Sequence, residues 1–158
     1  MLARHKVYPI DAVEVELSLW CTDILHNDIA KTCAELNIPI VAYSPLGWGI
    51  LAGVQIPEGD RRRYMAKFQG AALAQNMKLV TEVAKLAERK GVAQVQIALA
   101  WIHTLSGKPG MPTIIPIPGG STSDKVTQNL TGVPRLDDAE MEEIDRILKE
   151  NKIVGHRY

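Results

Sequence analysis

The stretch that most constrains this chain is IPIVAYSPLGWG, residues 38–49, in which a short apolar run passes directly into a polar loop with two glycines. The run at 38–42 lacks the strict alternation of a half-exposed strand, so it predicts a strand buried on both faces of a parallel sheet. Tyr43 and Ser44 follow at its carboxyl end. Because ligands bind at the carboxyl ends of strands in parallel α/β folds, the pattern predicts a binding loop here.

A second loop of the same kind is PGGSTSDK, residues 118–125, which follows another apolar run at 113–117 and leads into a helix. Free backbone N–H groups at a helix N-terminus, hydroxyls at Ser121 and Thr122, and the cation Lys125 one turn later suit an anion such as phosphate. Taken alone, a Gly-Gly-Ser sequence before a helix is more often a simple helix cap. Both interpretations are open at this point.

Hydrophobic periodicity predicts an α/β chain around these two loops. The predicted elements are a strand at 11–17, helices at 23–36, 74–90, 92–105 and 136–149, and a long irregular loop at 50–70. Glu14 and Glu16 project to the same side of the first strand, where an unpartnered carboxylate would be costly to bury; the alternative is a strand with one wet face. Residues 61–63 of the long loop are all arginine, and a solvated surface is the simplest interpretation of that run.

The composition excludes several function classes. Eighteen basic and eighteen acidic residues cancel, so neither nucleic acid nor an anionic membrane is expected as the main partner. Cys21 and Cys33 are too few for a disulfide framework and are expected to be reduced core thiols. Since no apolar run reaches about 18 residues, we expect a cytoplasmic protein, with one domain over residues 1–158.

Five collinear segments resemble the aldo-keto reductase superfamily, and in particular its pyridoxal-reductase-like branch. They are AVEVELSLW at 12–20, IPIVAYSPLGWGILAG at 38–53, KFQGAALAQNMKLV at 67–80, VQIALAWI at 95–102 and TIIPIPGGSTSDKVTQNL at 113–130, with HRY at 156–158 closing the chain. A whole (β/α)₈ barrel takes about 250 residues. The resemblance therefore implies the C-terminal three βα units of a (β/α)₈ TIM barrel, an incomplete barrel.

The resemblance also implies a site for NADP, bound as NADPH. The implied cofactor-binding residues are Glu14, Tyr43, Ser44, Leu46, Gly49, Gly120, Ser121, Thr122, Lys125, Gln128 and Asn129. In relatives, the residue matching Tyr43 stacks on the nicotinamide, and those matching Ser44 and Leu46 lie along the pyrophosphate. A basic residue of the long loop also approaches the cofactor phosphates in relatives.

Four positions in or beside the implied cofactor site depart from the family pattern. Lys125 stands where relatives usually carry the Arg that grips the adenosine 2′-phosphate, which keeps the charge but loses the bidentate fork. Gln128 replaces a Glu next to Asn129 at the adenine, and Glu14 replaces a Gln at the nicotinamide carboxamide. Trp48 stands where close relatives place an Arg that meets phosphate oxygens.

The family's catalytic Asp, Tyr, Lys and His come from the first four strands of the barrel, and no segment of this chain matches them. No metal-ligand spacing is present either, so we assign neither catalytic nor metal-binding residues. The resemblance implies the C-terminal part of an NADPH-dependent reductase of aldehydes or ketones, with pyridoxal as one candidate substrate. The alternatives are a noncatalytic cofactor-sensing or interaction module and an inert truncated fragment. We expect self-association or pairing with a complementary N-terminal fragment.

Overall fold

The computed structural model describes residues 2–156, which leaves Arg157 and Tyr158 of the closing HRY motif outside the described residues. Its centre is a parallel sheet of three strands in the order β1-β2-β3. The strands are β1 Val13–Glu16, β2 Ile40–Tyr43 and β3 Ile114–Ile117. The helices are α1 Leu2–Val7, α2 Ile29–Glu35, α3 Gly70–Lys90, α4 Gln94–Ser106, α5 Ser123–Leu130 and α6 Asp138–Glu150. The predicted α/β class and the parallel sheet are confirmed.

The two faces of the sheet differ in burial. Ile40 and Ile114, which pair in the ladder, are 0% and 3% exposed against the helices. Ile115 and Ile117, on the opposite face, are 49% and 46% exposed, and Glu14 beside them is exposed as well. The expectation of a strand buried on both faces was wrong for β2, in which Ile40 and Ala42 are buried but Val41 and Tyr43 are only partly buried, because residues 2–156 cover the second face only in part.

Local sequence signals explain where the helices end. α3 stops at Gly91, whose φ of 68° is the left-handed conformation that favours glycine at this position. α6 begins with a capping box in which the Asp137 side chain accepts from the Glu140 N–H and Glu140 accepts from the Asp137 N–H. Both features were predicted. α3 starts at Gly70, four residues earlier than expected.

The core lies between the sheet and the helices α3, α4 and α6. Cys21 and Cys33 are buried free thiols, as predicted. Across the described part of the chain, no helix combines the length and apolar character needed to cross a membrane. Residues 2–156 also contain no cluster of three or more His, Cys, Asp or Glu side chains that could hold a metal ion.

Candidate cofactor site

The two predicted loops meet because the strands before them are neighbours and parallel. β2 and β3 pair directly, so the loops that follow them leave the sheet at the same edge. Between these loops lies a cavity of ≈ 420 Å³. Its lining residues are Leu46, Gly49, Ala52, Val54, Val95, Gly119, Gly120, Ser121, Lys125, Gln128 and Asn129. The structure thus brings seven of the predicted residues together, and adds Ala52, Val54, Val95 and Gly119, which carry no polar side chain that sequence reasoning could single out.

The loop after β2 has an unusual backbone. Ser44 and Trp48 hold positive φ values of 49° and 61° although neither is glycine, and such conformations are uncommon outside functional sites and tight turns. Gly47 has a φ of 55°, and a Cβ at this position would lie 2.8 Å from the Cβ of Trp20. The turn therefore needs glycine for both its conformation and its close packing.

The buried side chain of Arg62 holds this loop together through hydrogen bonds. Its guanidinium binds both carboxylate oxygens of Asp60 and donates to the carbonyl oxygens of Trp48 and Gln55, each at 2.9 Å. The residue is only 8% exposed, so the expected solvated surface was wrong for this arginine. The hydrogen bonds from the Arg62 side chain and backbone hold the pKa of Asp60 down at about 2.

The Trp48 side chain makes a hydrogen bond and a cation–π contact. Its indole Nε1–H donates to Glu16 Oε1 at 3.2 Å, and the guanidinium carbon of Arg61 lies 5.3 Å from the centre of its ring. Glu16 is 1% exposed, so one of the two carboxylates of β1 is buried with a donor. The cation above Trp48 comes from the arginine run, and only the three-dimensional fold brings those two positions together.

The loop after β3 is exposed and lightly bonded. Thr122 Oγ1 accepts from the Lys125 N–H at 3.3 Å, and the Lys125 ammonium donates to Ser121 Oγ at 3.3 Å. Thr122 is the N-cap of α5 and does not line the cavity, so the helix-cap interpretation holds for that residue. A Cβ on Gly120 would lie 2.5 Å from the Val126 side chain, so the close packing of this turn on α5 requires glycine.

Asn129 and Gln128, which are neighbours in α5, differ in burial. Asn129 is 7% exposed and donates from Nδ2 to the Gly119 carbonyl oxygen at 3.2 Å, so it also shapes the loop. Gln128 is exposed and lines the cavity.

Besides Thr122, three predicted residues do not line the cavity. Glu14 and Tyr43 project from the open face of the sheet, in register with Val41 and Glu16 respectively, and Ser44 continues from that strand. They do not line the cavity. A ligand that reached them would have to extend from the cavity over the carboxyl ends of the strands, and their cofactor roles stay predictions.

The fold thus places a cavity at the carboxyl edge of a parallel α/β sheet, between two loops and beside a helix N-terminus, where ligands bind in folds of this class. A sequence profile of the Aldo/keto reductase family matches residues 1–149. The chain therefore belongs to the aldo/keto reductase family.

Individual relatives agree with this assignment. The chain is 40% identical over 171 aligned positions to the "Putative pyridoxal reductase" of Saccharomyces cerevisiae, an alignment that covers 99% of this chain and 50% of that protein. Among solved structures, it resembles a glycerol dehydrogenase from Gluconobacter oxydans with a TM-score of 0.78 at 24% identity, over 96% of this chain and 46% of that one. It also resembles a thermostable aldo-keto reductase bound to the inhibitor epalrestat, with a TM-score of 0.62 at 21% identity, over 88% and 40% of the two chains.

These comparisons show which fold the chain shares with its relatives and how much of their length it spans. The two structural likenesses support the (β/α)₈ barrel as the parent architecture of the three βα units. The chain spans about half the length of the relative and of the first solved structure that it matches.

Proposed function

We propose that this chain forms the cofactor-binding part of an NADPH-dependent aldo-keto reductase. One observation carries the proposal, namely the cavity of ≈ 420 Å³ that lies between the loops after β2 and β3. A volume of this size falls within the range of about 300–1,000 Å³ that is typical of small-molecule sites. The two loops are far apart in sequence: the loop after β2 supplies glycine and apolar walls, and the loop after β3 supplies the Ser121 hydroxyl and the Lys125 ammonium.

The 2′-phosphate would bind at the α5 end of the cavity. Lys125 supplies a positive charge there, Ser121 a hydroxyl donor, and α5 its free backbone N–H groups. Gly120 also lines the cavity, and glycine is needed there because a Cβ would lie 2.5 Å from the Val126 side chain. The Lys125 ammonium now donates only to Ser121 among the described residues, so it can accept an anion without breaking an ion pair.

The pyrophosphate and nicotinamide would extend along the loop after β2. Leu46 and Gly49 line the cavity at its start, and Ser44 and Tyr43 continue toward the strand end. Glu14, exposed beside them, can only accept hydrogen bonds when ionised, from the carboxamide NH₂ of the nicotinamide. When bound, NADPH would supply the hydride for carbonyl reduction.

Reduction of a carbonyl to an alcohol needs a proton on oxygen as well as a hydride on carbon. We assign no residue of this chain as that acid, so turnover requires the acid to come from further chain or from a second polypeptide. The yeast relative's description makes pyridoxal the first aldehyde to assay. Cofactor binding without turnover is the expected behaviour of these 158 residues assayed alone.

The direct test is a fluorescence titration with NADPH and NADH. We expect wild type to prefer NADPH, and Lys125→Ala to weaken NADPH binding by about tenfold with little change for NADH, because one charge contact to the extra phosphate is lost. Lys125→Arg should retain the preference. Lys31→Ala on α2, an exposed lysine outside the cavity, is the matched control. Equal affinities for both nucleotides in wild type and Lys125→Ala would contradict the proposal.

We also propose that a partner covers the open face of the sheet, either further barrel strands or a second copy of the chain. Two half-exposed isoleucines and two sheet edges unpaired within residues 2–156 favour association. Sedimentation velocity should reveal concentration-dependent association of wild type. Ile115→Lys should reduce it, whereas Lys31→Met on α2 should not. A monodisperse monomer at all concentrations would contradict this expectation.

A further inference from the structure

A second cavity, of ≈ 550 Å³, lies away from the cofactor site and shares no lining residue with it. Its walls come from the segment after β1, from α3, α4 and α6, and from the tail after α6. The apolar walls are Leu19, Leu25, Leu79, Leu105, Leu148 and Ile153. This volume also falls in the typical range for small-molecule sites, and the lining has the mainly apolar character of such sites.

The most informative residue of this cavity is Lys67. It lines the cavity although it is only 7% exposed. No carboxylate within residues 2–156 forms an ion pair with its ammonium, and no acceptor there receives a hydrogen bond from it. Because an unpaired buried charge is costly, an anion in the cavity would remove that cost.

The charge of Lys67 acts at the cavity wall. Cys21 lines the same cavity, and burial raises the pKa of its thiol, as does the nearby Glu16 carboxylate, whereas the charge of Lys67 lowers it. The remaining charged groups of the lining, Lys149 and Lys152 with Asp23 and Asp145, are exposed and balance in number. Among the described residues that line the cavity, Lys67 is thus the one buried charged group.

Two further donors in the walls have no acceptor. Trp20 and Trp101 are each 1% exposed, and their indole N–H groups have no hydrogen-bond partner in the described part of the chain. Buried indole N–H groups are usually hydrogen-bonded. Like the Lys67 ammonium, the indole N–H groups of these two lining residues can act only as donors.

Hydrogen bonds of Asn76 fix one wall of the cavity, the tail after α6, against the segment that carries Lys67. Asn76, which is 0% exposed, donates from Nδ2 to the carbonyl oxygens of Lys67 and Val154, and its Oδ1 accepts from the Val154 N–H. At Gly155, a Cβ would lie 2.8 Å from the Lys67 nitrogen. The tail is therefore fixed against the segment that carries Lys67, and the wall that it forms exists before any ligand binds.

We propose that this cavity is a binding site for a small organic carboxylate with an apolar body. The carboxylate would pair with the Lys67 ammonium, and the apolar body would pack against the leucine walls between α3, α4 and α6. The site is independent of the cofactor cavity, so its ligand and NADPH bind separately.

The probe for this site is 4-phenylbutyrate, measured by titration calorimetry and by the fluorescence of the wall tryptophans. We expect 4-phenylbutyrate to bind, its neutral amide to bind at least tenfold more weakly, and inorganic phosphate, which has charge but no apolar body, not to compete. Competition by phosphate, or an amide as tight as the acid, would overturn the proposal.

Two variants locate the binding. Lys67→Met should weaken 4-phenylbutyrate at least tenfold, whereas Lys78→Met, an exposed lysine on α3 outside the cavity, should leave it unchanged. Leu105→Trp, which fills the cavity without removing charge, should also abolish binding, and it tests the site if Lys67→Met does not fold. NADPH binding should be unchanged in each folded variant. Binding of 4-phenylbutyrate that survives in a folded Lys67→Met or Leu105→Trp protein would overturn the assignment.

Discussion

The two loops that border the cofactor cavity are built in opposite ways. The loop after β2 is fastened by Arg62, by the Glu16–Trp48 hydrogen bond and by the packing of Gly47 on Trp20. The segment after β3 is exposed at Gly120, Ser121, Lys125 and Gln128. The first loop is therefore shaped by the protein, whereas the second keeps its polar groups in water until a ligand replaces the water.

Because of this difference, we expect substitutions in the loop after β2 to change folding stability and substitutions in the segment after β3 to change ligand selectivity. A preformed loop lowers the ordering cost of binding, and changes to its internal contacts act first on folding. Changes to an exposed cation act on ligand discrimination and leave folding almost unaffected. The predictions below test this division.

The largest effect is expected for Arg62→Ala. The change leaves the Asp60 carboxylate and two loop carbonyl groups without their donor, and the two unsatisfied carbonyl groups together should cost about 3 kcal/mol of unfolding free energy. NADPH binding should weaken as well, since the loop loses its shape. Urea denaturation measures the first effect and fluorescence titration the second.

Arg63→Ala is the neighbouring control. Arg63 is exposed and donates only to the carbonyl oxygens of Pro57 and Ile56, so its loss should cost less than about 1 kcal/mol. Equal costs for the two arginines would contradict a loop fastened by Arg62.

A smaller loss of stability is expected for Gly47→Ala. The new Cβ meets Trp20 at 2.8 Å on a backbone with positive φ, which should cost about 2 kcal/mol. Gly119→Ala in the exposed loop is the matched control, because a Cβ there meets nothing within 4 Å. Thermal unfolding of the two variants measures the contrast, and a destabilised Gly119→Ala beside a neutral Gly47→Ala would reverse the comparison.

The sequence predicted the order of the strands and the ends of the helices better than it predicted which strand residues are buried. The parallel order of the strands, the end of α3 at Gly91 and the capping box of α6 all follow from local patterns, and the structure confirms them. The exposure of Ile115 and Ile117 is not marked in the strand pattern, which is the same whether or not a partner covers the strand; it follows only from the prediction of an incomplete barrel, whose apolar interior is left open.

For the candidate site too, the sequence predicted residues that belong to local motifs and missed a contact that depends on the three-dimensional fold. The cavity residues Ser121, Lys125 and Gln128 were found from a local motif and a family resemblance. Arg62 was not, because its partners Trp48 and Gln55 lie 14 and 7 positions away and become neighbours only through the folding of an irregular loop. No local pattern marks such a contact.

The smallest effect concerns pH. The folded-state pKa of Asp60 is about 2, below its ordinary value of 3.8, so the folded state favours the ionised carboxylate. The stability from the Asp60–Arg62 contact is thus complete above about pH 4 and is lost as the pH falls through about 2. Unfolding free energies measured from pH 5 to 2 should decline less steeply in Asp60→Asn than in wild type. An identical slope would show that this carboxylate is not linked to folding.

The most direct test of the central claim is amide NMR of the protein titrated with NADP⁺. One nucleotide that spans both loops predicts shifts at residues 46–49 and at residues 120–129 with a single common dissociation constant, and none at the second cavity near Lys67. Shifts confined to one of the two segments, or different dissociation constants for the two, would contradict a shared cofactor site.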